Sequence, residues 1–316
     1  MKRLLSLLLS LLLCLSLLCA CGGETQEPSD DSALKIVSAV FPSYDFVRQL
    51  TAGTDAQVQL LIPPGTEVHS FDPSTRDIIA VQECDLFIYV GGENDVWVNR
   101  ILSAVSGDVR TLKLMDCVIL YQEETTDGMQ HDHHEEDSHG GDWDEHVWTS
   151  PKNALTIVQK LTEELTALDS ANAALYESNS LAYQSQLQAL DQRFSDIVST
   201  ARRDTLLFAD RFPVRYFTEE YGLKYFAAFP GCSADTEPSL ATVAFLVDKI
   251  RELSIPAVFT IEMSNGKLAD SLCADTGVQK LQFHSCHNVT ADEFAAGETY
   301  LSLMEKNAAA LAIALN

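Results

Sequence analysis

Short apolar runs alternate with amphipathic segments along most of the chain. In the first half, nearly continuous apolar runs indicate strands buried on both faces of a parallel sheet, at 35–41, 58–62, 85–92 and 110–114. Helical patterns lie between them at 43–52, 73–82 and 94–105. The second half repeats the alternation, with strands predicted at 205–209, 223–229, 257–261 and 281–283 and helices at 213–221, 238–253, 265–274 and 298–314. This order predicts two doubly wound α/β lobes.

One longer segment separates the two halves. Residues 171–200 contain neither Gly nor Pro, and their apolar positions form one stripe of an amphipathic helix: Tyr176, Tyr183, Leu187, Leu190, Phe194 and Ile197. A coiled-coil strand is the alternative, but the short repeat favours a single helix that joins the lobes. We therefore predict a lobe at 34–170, a linker helix at 171–200 and a second lobe at 201–316.

The amino terminus has the pattern of an export signal. Lys2 and Arg3 precede an apolar run that is too short for a comfortable membrane span, and the run ends in "LLCACGG". That ending resembles the lipobox of bacterial lipoproteins. The resemblance implies a signal peptide at 1–20, a lipid on Cys21, a polar linker at 21–33 and a protein anchored to the extracellular face of the cell membrane. An ordinary secretory signal is the alternative.

Charge and cysteine content restrict the class of protein. The chain has 21 basic and 46 acidic residues and a net charge of −25, which disfavours nucleic acid and anionic lipid and attracts cations. We therefore expect membrane contact through the lipid anchor only. Five cysteines follow the lipobox in an odd number and without a C-x-x-C pattern, so they predict neither a disulfide framework nor a zinc finger. The sequence leaves their pairing open: Cys84, Cys117, Cys232, Cys273 and Cys286.

Histidines are concentrated in one acidic segment. Five of the eight lie in "HDHHEEDSHGGDWDEHVW" from His131 to Trp148, and neutral imidazole is a ligand for zinc and other transition metals. Residues 122–145, the His/acid-rich segment, contain ten acids and no base, which predicts a loop too charged to pack. Its histidines would bind metal transiently: His131, His133, His134 and His139. A solvated insertion without a function is the alternative.

Four further polar residues lie where the predicted strands end or the next helix begins. In open α/β sheets, ligands collect beyond the carboxyl ends of the strands. The four residues are His69 after 58–62, His146 before the helix near Pro151, Asp210 after 205–209, and His284 after 281–283. Three imidazoles and one carboxylate predict a tetrahedral Zn²⁺ site in the cleft. Alternatively, each histidine is a surface residue and Asp210 caps a helix.

The segments around two of these histidines resemble a known family. "PPGTEVHSFDPS" and "DEHVWTSP" are similar to the PPG-x-x-x-H-x-x-x-P and D-P-H-x-W-x-S-P segments of the zinc and manganese solute-binding lipoproteins of bacterial ABC importers. "YGLKYFAAFPGCSADTEPS" and "TYLSLMEKN" resemble the second lobe of that family. The resemblance covers nearly the whole mature chain and carries the family's metal ligands over to His69 and His146. It implies a monomer that captures Zn²⁺ and delivers it to the permease subunits of an importer.

The second lobe departs from the family pattern. Many relatives have His or Glu near the end of the strand that is followed here by "DRFPVRYF", so Asp210 is the residue left to coordinate. His284 stands where the family commonly has Asp, with His287 close behind. Glu262 is a candidate for orienting a ligand, or for coordinating the metal if Asp210 does not. Three nitrogen donors favour zinc, because a manganese site would carry more oxygen. His-rich loops are also common in zinc-specific members.

Three other functions are compatible with parts of this pattern. A manganese-binding protein or an adhesin of the same fold would share these motifs, although no repeat or cell-wall motif supports adhesion. A zinc hydrolase would need an open coordination position, and four protein ligands would leave no room for an activated water. The chain also has no H-E-x-x-H, G-x-S-x-G or Walker A motif. We therefore predict a binding protein rather than an enzyme.

Overall fold

Two four-stranded parallel sheets organise the chain. The computed structural model describes residues 33–68, 71–92, 95–130, 143–231, 233 and 237–316. The strands are β1 Lys35–Ser38, β2 Gln57–Leu60, β3 Leu86–Tyr89, β4 Thr111–Lys113, β5 Thr205–Phe212, β6 Lys224–Pro230, β7 Ala257–Thr260 and β8 Gln279–Gln282. The sheet orders are β2-β1-β3-β4 and β6-β5-β7-β8. The prediction of two α/β lobes is confirmed.

Helices connect these strands and cover the sheets. They are α1 Phe41–Leu50, α2 Thr75–Gln82, α3 Val96–Ala104, α4 Pro151–Leu168, α5 Ala173–Ser199, α6 Arg215–Tyr221, α7 Leu240–Leu253, α8 Lys267–Thr276, α9 Ala291–Ala295 and α10 Tyr300–Ala314. The short 3-10 turns Leu114–Cys117 and Val147–Thr149 precede α4. Ser150 begins α4 by accepting a hydrogen bond from the Asn153 N–H, and Pro151 occupies its first turn, where no backbone donor is needed.

The helix α5 joins the lobes. Its 27 residues make it about 40 Å long, and the predicted stripe is buried from Tyr176 to Phe194. It packs against α4, where the Thr162 hydroxyl donates to Ser180 Oγ at 2.7 Å, and it also contacts α1 and α10. The connection is therefore supported by elements on both sides of the molecule along its length.

The lobes also contact each other directly. The Gly65 N–H, in the loop after β2, donates to the Val289 carbonyl at 2.7 Å. The Asn288 amide donates to the carbonyls of Pro63 and Thr66 at 2.9 and 3.0 Å. The largest hydrophobic cluster contains side chains from both sheets and from α5. Residues 34–316 consequently form one compact unit.

Strand β5 differs from its prediction in a way that affects the site. It continues to Phe212, so Asp210 lies inside the strand rather than after it. Phe208 pairs with Ala227 and Arg211 with Phe229, which places three steps of β5 opposite two steps of β6. One extra residue therefore forms a β-bulge, and such bulges change the direction of the side chains that follow.

The beginning of the His/acid-rich segment packs against the second lobe. The Gln130 N–H donates to the Ala228 carbonyl of β6 at 2.9 Å, and Met129 is buried. Glu124 forms an ion pair with Arg215 and accepts a hydrogen bond from the Tyr225 hydroxyl. The expectation that the whole segment is too charged to pack is wrong for 123–130, because Glu124 has partners in the second lobe and Met129 supplies an apolar anchor. His131, His133, His134 and His139 lie outside the described residues.

The cysteines and the hydropathy of the helices can also be compared with the sequence predictions. Cys84, Cys117, Cys273 and Cys286 are free thiols, and Cys232 lies outside the described residues. Among the helices in the described ranges, none has the length and apolar content needed to cross a membrane. Cys21 precedes the described part of the chain.

Candidate metal centre

A small cavity lies between the two lobes. Its volume is about 20 Å³, which is room for about one water molecule or one ion. The first lobe lines it with Glu67, Val68 and His146, and the second lobe contributes side chains that include Arg211, Glu262 and His287. The cavity therefore brings two imidazoles and two carboxylates to one small space.

Asp144 orients the imidazole of His146. One oxygen, Asp144 Oδ1, lies 3.1 Å from His146 Nδ1 and accepts the His146 backbone N–H at 2.8 Å. Burial lowers the pKa of His146, but the charge and hydrogen bond of Asp144 outweigh it and raise that pKa. A proton held on Nδ1 by the carboxylate makes Nε2 the nitrogen that a metal would take, an arrangement common in metal sites.

His287 faces His146 from the other lobe. Their ring centroids are 5.1 Å apart at an interplanar angle of 87°, and both rings pack near Trp148. The Trp148 indole N–H donates to the Ser285 carbonyl at 2.8 Å, which ties the loop carrying His287 to the first lobe. Cys286 has a φ of 62°, the left-handed region that non-Gly residues seldom adopt. Because of this turn, the side chains of His287 and His284 point in different directions.

The structure places His284 in the core rather than at the cavity. Its backbone N–H donates to Asn307 Oδ1 at 2.7 Å, and its Nδ1 accepts the Cys286 N–H at 2.9 Å. The ring proton is therefore on Nε2, which lies 3.7 Å from Glu293 Oε2. The contact with His284 lowers the pKa of Glu293 to about 2. In this arrangement neither nitrogen of His284 offers a lone pair to a metal.

The β-bulge presents Arg211 to the cavity, and Asp210 is not among the residues that line it. Asp210 Oδ1 accepts the Arg211 N–H at 2.9 Å, and burial raises the pKa of Asp210. The Arg211 guanidinium forms two hydrogen bonds with Glu67, Nη1 to Oε1 at 3.3 Å and Nη2 to Oε2 at 3.1 Å. The strand position expected to carry a carboxylate ligand thus carries a cation.

Glu262 is buried beside the loop that contains His287. It follows Ile261, the residue after β7, and its Oε2 accepts the Ser285 N–H at 2.7 Å while its Oε1 accepts the Ser285 hydroxyl. Glu262 lines the cavity. Its carboxylate is therefore fixed in orientation and lies at the same small space as the two histidines.

His69 and its neighbour Ser70 lie outside the described residues. Glu67 and Val68, which precede them, line the cavity. Within the described ranges, no group of three or more His, Cys, Asp or Glu side chains is close enough to hold a metal ion. Because zinc is normally held by four ligands, the described residues alone do not complete a zinc site. From the sequence, His287 was predicted only as a neighbour of His284; the H-x-x-H spacing in "HSCHN" is the signal that could have indicated it.

Two parallel α/β sheets, one long connecting helix and facing histidines in the space between the lobes define a two-lobed cleft protein. The model of the ZnuA family, zinc-uptake complex component A, periplasmic, matches residues 36–314. The chain belongs to this family.

Individual relatives agree with the assignment. The chain is 34% identical over 313 residues to the zinc-binding lipoprotein AdcA of Streptococcus pneumoniae, covering 98% of this chain and 60% of that relative's length. It is 29% identical over 311 residues to the high-affinity zinc uptake system protein ZnuA of Bacillus subtilis, covering 94% and 93% of the two chains. The crystal structure of the Zn(II)-bound ZnuA-like domain of S. pneumoniae AdcA superimposes with a TM-score of 0.74 at 30% identity, covering 90% of this chain and 99% of that one.

Proposed function

We propose that the protein captures Zn²⁺ in the cleft between its lobes and delivers it to the permease subunits of an ABC importer. The observation that carries this proposal is the ion-sized cavity in which His146 and His287 face each other from opposite lobes. The names of the relatives, zinc-binding lipoprotein and zinc uptake protein, support zinc as the cargo.

The proposed ligands are three histidines and one carboxylate: His69, His146, His287 and Glu262. His287 takes the place that the sequence suggested for His284, because His287 lines the cavity and the Nδ1 of His284 accepts a backbone N–H. Glu262 replaces Asp210 because Glu262 lines the cavity and Asp210 does not. Three nitrogen donors and one oxygen donor favour zinc over manganese.

Binding is favoured over catalysis by the size of the cavity. A hydrolytic zinc needs an open coordination position and room for the substrate beside the metal. The cavity has a volume of about 20 Å³ and is bounded by buried side chains such as His146 and Glu262. A metal held there would be enclosed, which suits an ion that is transported rather than one that takes part in catalysis.

The amino-terminal segment would anchor the protein to the membrane, and the His/acid-rich segment would supply the cleft with metal. We propose a signal peptide at 1–20, a lipid on Cys21, a linker at 21–33, lobes at 34–170 and 201–316, and a linker helix at 171–200. The mature protein is then a monomer on the extracellular face of the cell membrane. His131, His133, His134 and His139 would bind additional zinc weakly, because imidazole is a zinc ligand and the neighbouring acids attract the cation.

Zinc titration of the metal-free protein tests the proposal. We expect one tightly bound zinc that survives replacement of His131, His133, His134 and His139 by Asn, whereas the weakly bound zinc is lost. Because the tight zinc binds only the folded state, it raises the melting temperature of that variant. An unchanged melting temperature at saturating zinc would contradict the cleft site, and tighter binding of manganese in competition would change the assigned cargo.

A further inference from the structure

Access to the cavity is limited by the contacts between the lobes. Backbone hydrogen bonds from Gly65 to Val289 and from Phe41 to His287 join the lobes beside the cavity. The Asn288 amide donates to two carbonyls of the loop after β2. Because these contacts hold the backbone of the two lobes together beside the cavity, an ion would enter most readily where side chains close it.

Among the residues that the structure describes, such a side-chain closure is formed by Arg211 and Glu67. Arg211 comes from β5 of the second lobe and Glu67 from the loop after β2 of the first, and both line the cavity. Glu67 has 43% of its side chain exposed and Arg211 17%, whereas His146 and His287 are buried. The two hydrogen bonds between the guanidinium and the carboxylate therefore lie between solvent and the facing imidazoles.

An arginine is an unexpected residue for a cation pocket, because its fixed positive charge repels the ion. The paired carboxylate offsets that charge while the pair is intact. When the pair separates, Glu67 is the exposed member and attracts a cation. The Arg211–Glu67 pair therefore suits control of the passage of a cation rather than its coordination.

We propose that Arg211 and Glu67 form a side-chain gate across the cavity mouth, which must separate each time zinc enters or leaves. The inference rests on the proposed function of zinc capture. According to this inference, Arg211 controls the rate of zinc exchange and does not coordinate the zinc.

Zinc release distinguishes a gate from a simple charge effect. In stopped-flow chelation of the zinc-loaded protein, Arg211→Gln and Glu67→Gln should each speed release by roughly fivefold, as expected for a partly exposed ion pair. The double variant should release zinc no faster than the faster single variant. If charge alone acts, Arg211→Gln slows release and Glu67→Gln speeds it, which overturns the gate; unchanged rates overturn it as well.

Arg110→Gln is the matched control. It removes the same charge, but its ion pair with Glu164 lies within the first lobe and away from the cavity. We expect its release rate to equal that of the unaltered protein. A control as fast as Arg211→Gln would show that loss of any arginine suffices, and would overturn the proposal.

A second measurement needs no zinc. Diethyl pyrocarbonate modifies accessible imidazoles, and mass spectrometry separates the peptides that contain His146 and His287. Both gate variants should speed modification of these two histidines in the metal-free protein, by roughly fivefold, and Arg110→Gln should not. Equal rates in all variants overturn the gate even if zinc binds. Failure of the unaltered protein to bind one zinc counts against the proposed function instead, while the modification rates still decide the gate.

Discussion

The two lobes have the same strand order but supply the cavity by different means. In the first lobe, His146 directly precedes the 3-10 turn that leads into α4, and a neighbouring carboxylate fixes its ring. In the second lobe, the residues expected at the strand ends, Asp210 and His284, do not line the cavity. The bulge in β5 presents Arg211, and the turn at Cys286 presents His287. A repeated fold therefore fixes where a site lies, and local backbone irregularities select which side chains form it.

The largest effect should separate His287 from His284. We expect His287→Ala to weaken zinc binding by more than the roughly 100-fold that loss of an outer-sphere partner can cost, because it removes a nitrogen donor. His284→Ala should leave affinity within about tenfold of the unaltered protein while lowering stability, because the space of a buried ring is left empty. Equilibrium competition with a zinc chelator and thermal unfolding measure both. The opposite ranking of affinities would restore His284 as the ligand.

A smaller effect is expected from the group that orients the first-lobe histidine. Asp144→Asn keeps the size of the side chain but removes the charge that faces His146 Nδ1. Loss of such a partner should weaken zinc binding by about 10- to 100-fold. The same competition assay measures it, with Asp116→Asn as an exposed control outside the cavity. If Asp144→Asn binds zinc as tightly as the control, the carboxylate does not position the ligand.

The smallest effect on affinity is expected at the bulge. Asp210→Asn should change the zinc dissociation constant by less than about threefold, because only direct or outer-sphere ligands carry larger effects. A loss as large as that of His287→Ala would return Asp210 to the coordination sphere. The comparison thus tests whether the bulge moves this carboxylate away from the metal.

The same variant carries a pH signature. Burial raises the pKa of Asp210 above its unfolded value, so the folded state holds that proton more tightly than the unfolded state. The resulting stability is present below pH about 4 and is lost as the pH rises through the folded-state pKa. The stability of Asp210→Asn relative to that of the unaltered protein, measured by denaturant unfolding, should therefore be higher at pH 7 than at pH 4. A difference independent of pH would contradict the assigned burial.

Much of the fold could be predicted from the sequence, because buried parallel strands and amphipathic helices have distinct hydrophobic patterns. The stripe from Tyr176 to Phe194 predicted the connecting helix for this reason. His146 was placed beside the cleft by the strong start signal of α4. These features depend on residues close together in the chain, where periodicity and capping are informative.

The second-lobe half of the site could not be predicted in the same way. An extra residue in β5 leaves the apolar pattern of the strand almost unchanged, yet it exchanges Asp210 for Arg211 at the cavity. The exclusion of His284 depends on Asn307, 23 positions away, and on a local N–H from Cys286. The packing of Met129 and Glu124 likewise depends on partners from a distant lobe, which composition does not reveal.

The direct ties between the lobes have a consequence for the energetics of binding. A protein whose competent arrangement is only fractionally populated loses apparent affinity in proportion to that fraction. Here the hydrogen bonds of Gly65 and Asn288 join the lobes in the arrangement in which His146 and His287 face each other. If these bonds also hold that arrangement before zinc binds, the ligands would bind with nearly their intrinsic strength and without a large change of shape. Substitutions at these ties would weaken binding by lowering the population of that arrangement, although neither residue contacts the ion.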